Sequence, residues 1–201
     1  MEHGVVNPTN PVVLVHGFLD RQYIFKSMAR YLKAQGWSVY ALDLVPNDGR
    51  QSLPNLARQL QVFIDKNLSG SSNIDLIGFS MGGLVTRYYL QRMGGHERVE
   101  RYISISAPNN GTLTAYSLPF PGIKQMRPNS DFLNDLNGDV ESCLENIQVT
   151  WMWTPFDLMI LPADSTRLPI GHEVKLPVAF HPWMLSDRQA LAAVKKALLE
   201  S

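Results

Sequence analysis

The chain has 201 residues, 45% of them hydrophobic, which is enough for one domain with a substantial core and too few for two full enzyme domains. Its 18 basic and 18 acidic residues cancel, so no general attraction to nucleic acid or to an anionic membrane is expected. The single cysteine, Cys143, excludes an internal disulfide bond and favours a reducing compartment.

The first eleven residues lack the basic and apolar regions of a signal peptide, and no later apolar run approaches the roughly 18 residues that span a bilayer. We therefore expect a protein without a transmembrane segment. A cytoplasmic location is expected, or a secreted one if a signal peptide has been removed.

Short apolar runs rich in β-branched residues alternate along the chain with segments of helical period, a pattern typical of an α/β domain with a mostly parallel sheet. Residues 1–201 are predicted to form one such domain. The predicted strands are 11–16, 38–43, 74–79, 101–106, 149–154 and 173–178.

The helical segments carry apolar residues at the spacing of a buried helix face. Phe25, Met28 and Leu32 form one such stripe before Gly36 ends the segment. Near the C-terminus, Ser186 and Gln189 are spaced as a capping box at the start of a closing helix.

Residues 109–146 depart from this alternation. The segment is too long for a plain connection and carries several prolines and glycines, so we expect an irregular insert that binds substrate, either as a lid or as one wall of the site. Leu118, Phe120, Ile123 and Met126 are expected to line the substrate entrance.

The sequence Gly78-Phe79-Ser80-Met81-Gly82 matches the pattern G-x-S-x-G, directly after a predicted strand and at the start of a predicted helix. In this setting the glycines permit a sharp turn that exposes the serine hydroxyl at the end of the strand. Ser80 is therefore a candidate nucleophile, and the helix behind it favours developing negative charge.

A serine nucleophile requires a base that is oriented by a carboxylate. His181 follows the last predicted strand and is the best candidate base among five histidines. Asp157, after the fifth strand, is the preferred acid, with Asp164 as the alternative. The order serine, acid, histidine matches α/β-hydrolases.

Two backbone amides are needed for the oxyanion that forms when Ser80 attacks an acyl carbon. The amide of Met81 follows the nucleophile, and the amide of Phe18 lies in the loop after the first strand. His16, in the same loop, is expected to brace it and not to transfer protons.

The segments VLVHGF, GFSMGG, SAPNNGT and RPNSDFLNDLN, with the spacing from Asp157 to His181, resemble a compact bacterial triacylglycerol lipase of the α/β-hydrolase superfamily. The resemblance implies a minimal α/β-hydrolase fold, with about six parallel strands and helices on both faces. It also implies hydrolysis of carboxylic esters through an acyl-serine, with no cofactor or metal.

Several alternatives remain open at this point. A thioesterase or an acyltransferase would use the same triad, and a binding protein could keep the fold without turnover. The expected partner is a small acyl ester or lipid, with no nucleic acid and with transient contact to a lipid interface as an option. The sequence does not indicate an oligomeric state.

Overall fold

The computed structural model of the protein describes residues 10–200, which contain one sheet of six parallel strands. All six predicted strands are confirmed, and the last one ends earlier than predicted. They are β1 Val12–Val15, β2 Val39–Leu42, β3 Ile74–Phe79, β4 Val99–Ile105, β5 Gln148–Trp153 and β6 His172–Lys175. The order across the sheet is β2-β1-β3-β4-β5-β6.

Helices cover both faces of this sheet, as predicted. They are α1 Lys26–Ala34, α2 Leu53–Asn67, α3 Met81–Arg92, α4 Pro121–Gln125, α5 Asp131–Gly138, α6 Val140–Leu144 and α7 Arg188–Leu199. Because side chains alternate along a strand, Val12 and Leu14 of β1 join the core with α1 and α7, while Val13 and Val15 join the core with α2 and α3.

Every residue of the central strand β3 is buried, which explains why it is apolar apart from Asp75. The buried Asp75 carboxylate accepts from Asn10 Nδ2 at 3.1 Å and lies 3.4 Å from Arg101 Nη1. The turns that leave the carboxyl ends of β1, β3, β5 and β6 carry the candidate site residues. Parallel strands bring these turns to one edge of the sheet, where such folds bind ligands.

Two sequence-based expectations are corrected here. The insert 109–146 is not irregular, because it contains a short 3₁₀ turn, Leu113–Tyr116, and the helices α4, α5 and α6. Helix α7 is capped by Asp187, whose side chain accepts hydrogen bonds from the amides of Gln189 and Ala190 at 2.8 and 3.2 Å, and not by Ser186.

No helix within residues 10–200 is both long enough and apolar enough to cross a membrane.

Candidate active site

Ser80 lies between the end of β3 and the start of α3, with φ 54° and ψ −127°. A non-glycine residue in this region is strained, at a cost of roughly 1–3 kcal/mol, and persists only when its surroundings fix it. The Ser80 amide donates to the carbonyl of Ile105 at 2.9 Å, and its carbonyl accepts from the Gly83 amide at 2.9 Å. These contacts hold the turn that the motif predicts.

The two glycines of the motif are required by close backbone approach. A Cβ on Gly78 would lie 2.5 Å from Thr86 Oγ1 and 2.7 Å from the Gly83 Cα. A Cβ on Gly82 would lie 2.5 Å from the carbonyl oxygen of His16. The first glycine lets α3 fold back on β3, and the second lets α3 pack against the end of β1.

His181 and Asp157 are paired. His181 Nδ1 and Asp157 Oδ2 are 2.6 Å apart, and both side chains are buried. In the neutral tautomer that this contact favours, Nδ1 donates its proton to Asp157, which leaves Nε2 as a proton acceptor. The other carboxylate oxygen, Oδ1, accepts from the amides of Met159 and Ile160 at 2.9 and 3.0 Å, which fixes the orientation of Asp157.

The imidazole also lies against the strand that carries the serine. The ring centroids of His181 and Phe79, the residue before Ser80, are 4.7 Å apart. Asp164 is exposed in a separate 3₁₀ turn, Ala163–Thr166. The structure therefore brings Asp157 to the histidine and leaves the alternative acid elsewhere.

The loop after β1 closes the other side of Ser80. A Cβ on Gly17 would lie 2.9 Å from Ser80 Cβ, so this loop and the serine are in close contact. His16 is fully buried: its Nδ1 pairs with the Gly17 carbonyl at 2.9 Å, and its Nε2 accepts from the Leu44 amide at 2.9 Å. Both ring nitrogens are occupied, so His16 braces the loop, as the sequence indicates.

Burial also lowers the pKa of His16, and the nearby carboxylates of Asp20 and Asp43 only partly oppose this effect. The ring is therefore held neutral, which matches its role as one donor and one acceptor.

The amides of Phe18 and Met81 belong to the two segments that meet at Ser80. Phe18 follows Gly17 in the loop that touches Ser80, and Met81 is the first residue of α3. Within residues 10–200, neither amide donates a hydrogen bond to another part of the chain. Both donors are thus free for a ligand at this position.

Comparison with known proteins decides the family. The sequence profile described as palmitoyl protein thioesterase matches residues 11–156, which extend from the start of β1 to the residue before Asp157 and include Ser80. The chain belongs to the palmitoyl protein thioesterase family.

Two curated relatives of this family member are mammalian. The protein named lysosomal thioesterase PPT2 from Bos taurus is 39% identical over 110 residues, covering 50% of the chain and 34% of the relative. The Homo sapiens protein of the same name is 37% identical over 107 residues, again covering 50% of the chain and 34% of the relative. The match thus spans about a third of the length of these relatives. Their names give the expected cytoplasmic location no support.

Solved structures confirm the α/β-hydrolase fold. The mature form of the Bacillus licheniformis lipase BlEst2 aligns with a TM-score of 0.78 at 15% identity, covering 95% of this chain and 92% of that one. Aspergillus fumigatus lipase B aligns with a TM-score of 0.77 at 19% identity, covering 96% of this chain and 53% of that one. These likenesses extend to the fold alone, and the compact bacterial lipase type is not confirmed.

In this thioesterase-family chain, the SAPNNGT segment, residues 106–112, supports the acid loop, which is the loop after β5 that carries Asp157. Thr112 Oγ1 accepts from the Leu161 amide at 2.9 Å and lies 3.2 Å from the Met159 carbonyl. Asn109 is fully buried and donates to the Thr166 carbonyl at 2.7 Å. The motif that carries the resemblance therefore holds Asp157 in place indirectly, through the loop that follows it.

The insert is anchored to α3 by a buried arginine. Arg87 of α3 is fully buried and donates to the Leu136 carbonyl and to Asn137 Oδ1, both at 2.9 Å. Gln91 donates to the same Leu136 carbonyl at 2.7 Å. Helix α5 thus forms a fixed wall beside α3.

The four predicted substrate-entrance residues are packed in or against the core. Ile123 and Met126 are 3% and 7% exposed and belong to the core, because α4 packs against the loop that carries Gly49. Leu118 and Phe120 are half-buried and pack on the same core. Their contact with substrate stays a prediction.

Other large apolar side chains are exposed on the turns that follow the strands. They come from the loop after β1, the insert, the acid loop and the segment around the 3₁₀ turn His181–Leu185. These residues are Leu19, Tyr23, Leu113, Tyr116, Phe156, Leu158, Met159, Phe180 and Trp183. Leu113 and Tyr116 belong to the insert that is predicted to bind substrate. The sequence offered no signal for the others, since exposure depends on how the turns are oriented.

Candidate metal-binding clusters of histidine, cysteine or carboxylate residues are not found between residues 10 and 200.

Proposed function

We propose that the protein is a serine hydrolase that cleaves thioester or ester bonds of acyl substrates through an acyl-serine intermediate. The observation that carries this proposal is the 2.6 Å contact between Asp157 and His181, on a ring that packs beside the strained turn of Ser80. A nucleophile, a base and an orienting acid are the parts that such chemistry requires.

The reaction begins when Ser80 Oγ attacks the acyl carbon and its proton passes to His181 Nε2. Asp157 stays ionised and stabilises the resulting imidazolium through Nδ1. The bond to the leaving group then breaks, and the thiol or alcohol takes the proton from His181. Water repeats the sequence on the acyl-serine, which releases the acid and restores the enzyme.

The negative charge that forms on the acyl oxygen needs fixed donors. We assign this role to the amides of Phe18 and Met81, which lie in the two segments that meet at Ser80 and are free of partners in the described chain. In a partly dry site, each such donor contributes roughly two to three powers of ten in rate.

Thioesters of long acyl chains are the first substrate class in this proposal. The family description and the names of the relatives favour thioesters. The exposed apolar side chains on the turns around Ser80, including Leu19, Leu158 and Trp183, favour a long hydrocarbon chain. Oxygen esters form the second candidate class, because the same constellation cleaves both bonds.

The test compares three proteins: the wild type, Ser80→Ala and Ser106→Ala. Ser106 is a matched control because it also has a positive φ, 45°, and its buried hydroxyl has no hydrogen-bond partner in the described chain. Palmitoyl-coenzyme A and p-nitrophenyl palmitate serve as thioester and ester substrates. Cys143 is the only thiol of the chain, so a thiol reagent gives at most one equivalent of background.

We expect Ser80→Ala to abolish hydrolysis of both substrates and Ser106→Ala to retain it. A higher kcat/KM for the thioester supports the first substrate class, and a higher value for the ester supports the second. Undiminished turnover by Ser80→Ala would refute the assignment. Product esters formed with added alcohol would identify an acyltransferase, and binding without turnover would identify a ligand-binding protein.

A further inference from the structure

A second carboxylate lies beside Ser80. Asp20 Oδ2 and Ser80 Oγ are each 3.3 Å from the point where a Cβ on Gly17 would lie. The two groups therefore face the same small space, which is open only because residue 17 has no side chain. The sequence around Asp20 gives no functional signal, since aspartates after a strand are common in turns.

The backbone aims Asp20 at this space through a strained turn. Leu19 has φ 59°, an unfavourable conformation for leucine, and its side chain is 62% exposed. Its amide donates to the Asn47 carbonyl at 2.9 Å, and the Asn47 side chain donates to the Asp20 carbonyl. Burial of the Leu19 side chain does not offset the strain, because that side chain is exposed. We therefore attribute the strained conformation to the orientation that it gives Asp20.

The Asp20 carboxylate has no hydrogen-bond partner among the described side chains and amides, although the residue is half-buried. Burial raises the pKa of Asp20, and the electrostatic effects of His16 and His181 only partly oppose it. His16 is held neutral by burial and by its two backbone contacts. His181 is therefore the partner whose positive charge Asp20 can stabilise.

We propose that Asp20 is a positioning residue that acts through His181, as a second carboxylate that stabilises the imidazolium formed during acyl transfer. This inference rests on the proposed function. Ser80's proton still moves to His181 Nε2 and then to the leaving group, and Asp20 stays ionised throughout. Asp157, from the loop after β5, contacts the ring directly, and Asp20, from the loop after β1, faces the space beside Ser80 where the proton is transferred.

Other titratable groups lie on the elements that surround His181. Phe79, the aromatic neighbour of His181, is uncharged. The turn that carries His181 packs against the 3₁₀ turn Gln22–Phe25 and against α7. The other titratable side chains of these elements and of the α7 cap are Tyr23, Asp187, Arg188, Lys195 and Lys196.

The test is Asp20→Asn, which keeps the shape of the side chain and removes its charge. Asp164→Asn is the matched control, since it removes one aspartate charge from an exposed turn away from His181. For each variant, kcat, KM and the pH dependence of kcat/KM are measured with palmitoyl-coenzyme A, and Tm is measured at pH 7.

For Asp20→Asn we expect kcat to fall about tenfold while KM stays within about twofold, because the lost interaction is made only after proton transfer. The acid limb of the pH profile should move to lower pH by about half a unit to one unit. Its Tm should rise, because an ionised carboxylate whose pKa is raised by burial destabilises the folded state at neutral pH. Asp164→Asn should match the wild type in all three measurements.

The inference is overturned if Asp20→Asn matches Asp164→Asn in kcat and in its acid limb. It is also overturned if kcat and Tm fall together with no movement of that limb, since a purely structural residue would behave so. Failure of the proposed function is distinguishable from both results, because Ser80→Ala would then keep its turnover.

Discussion

Gly82→Ala tests the account of how α3 positions Ser80. Gly82 lies two residues after the serine, where α3 meets the end of β1. An added Cβ would lie 2.5 Å from the His16 carbonyl oxygen and 2.8 Å from the Val15 carbonyl carbon, and closer still to the Val15 oxygen. All three are backbone atoms at the end of β1, so they cannot rotate away as a side chain could.

The size of the effect follows from these contacts. Since real Cβ atoms essentially never approach a heavy atom within 3.0 Å, α3 or β1 must move by at least half an ångström. Overpacking of this kind costs about 1–3 kcal/mol. The same movement separates Met81 from the Phe18 loop, and a misplacement near 1 Å costs about a hundredfold in rate. We expect a lower Tm and a fall in kcat of about ten- to a hundredfold.

Thermal melts and steady-state kinetics on palmitoyl-coenzyme A measure both effects. Gly138→Ala is the matched control, because a Cβ on Gly138, the last residue of α5, would meet no atom within 4 Å. This change should leave kcat unaltered and stability equal or up to about 1 kcal/mol higher. Wild-type Tm and kcat in Gly82→Ala would refute the packing argument.

Three further predictions follow from the site and its supports. Asp157→Asn should lower kcat by about 10³- to 10⁴-fold, because an amide does not hold the Nδ1–H tautomer of the histidine. Asp164→Asn should leave kcat unchanged. If steady-state kinetics gave the reverse result, Asp164 and not Asp157 would be the orienting acid. Because burial lowers the pKa of His16, stability is fully present above about pH 6.5 and is lost as pH falls toward the lower folded value. Thermal melts from pH 8 to 5 should show this loss, and a flat Tm would contradict it. Arg87→Ala should lower the free energy of unfolding by about 3–5 kcal/mol, since it leaves the buried Leu136 carbonyl with fewer donors and opens a cavity. An unchanged midpoint of urea denaturation would contradict this expectation.

The elements that carry strong local signals could be predicted from sequence. The run Ile74 to Phe79 is buried on both faces, and all of its residues except the paired Asp75 are apolar or glycine, so its pattern indicates a buried strand. The glycines around Ser80 are dictated by backbone contact, which makes the turn visible in sequence. Asp157 and His181 each follow a predicted strand, in the order serine, acid, histidine along the chain. This placement indicated both residues, because parallel strands bring their carboxyl ends together.

Features that depend on tertiary contacts could not be predicted in the same way. Helices α4, α5 and α6 have five to eight residues, too short to form alone, and α5 depends on Arg87 from a distant part of the chain. Ser186 and Asp187 are both good cap residues, and the path out of the preceding turn selects the second. Asp20 has an ordinary turn sequence, and only the position of Gly17 shows that it faces Ser80.

The proposed function depends on Ser80 as the nucleophile. Labelling with a fluorophosphonate, followed by peptide mass spectrometry, reports on this role, because the reagent reacts with a serine only when a base activates it. We expect one adduct per chain, located on Ser80 and lost in His181→Ala. No adduct, or an adduct on another serine such as Ser106, would contradict it.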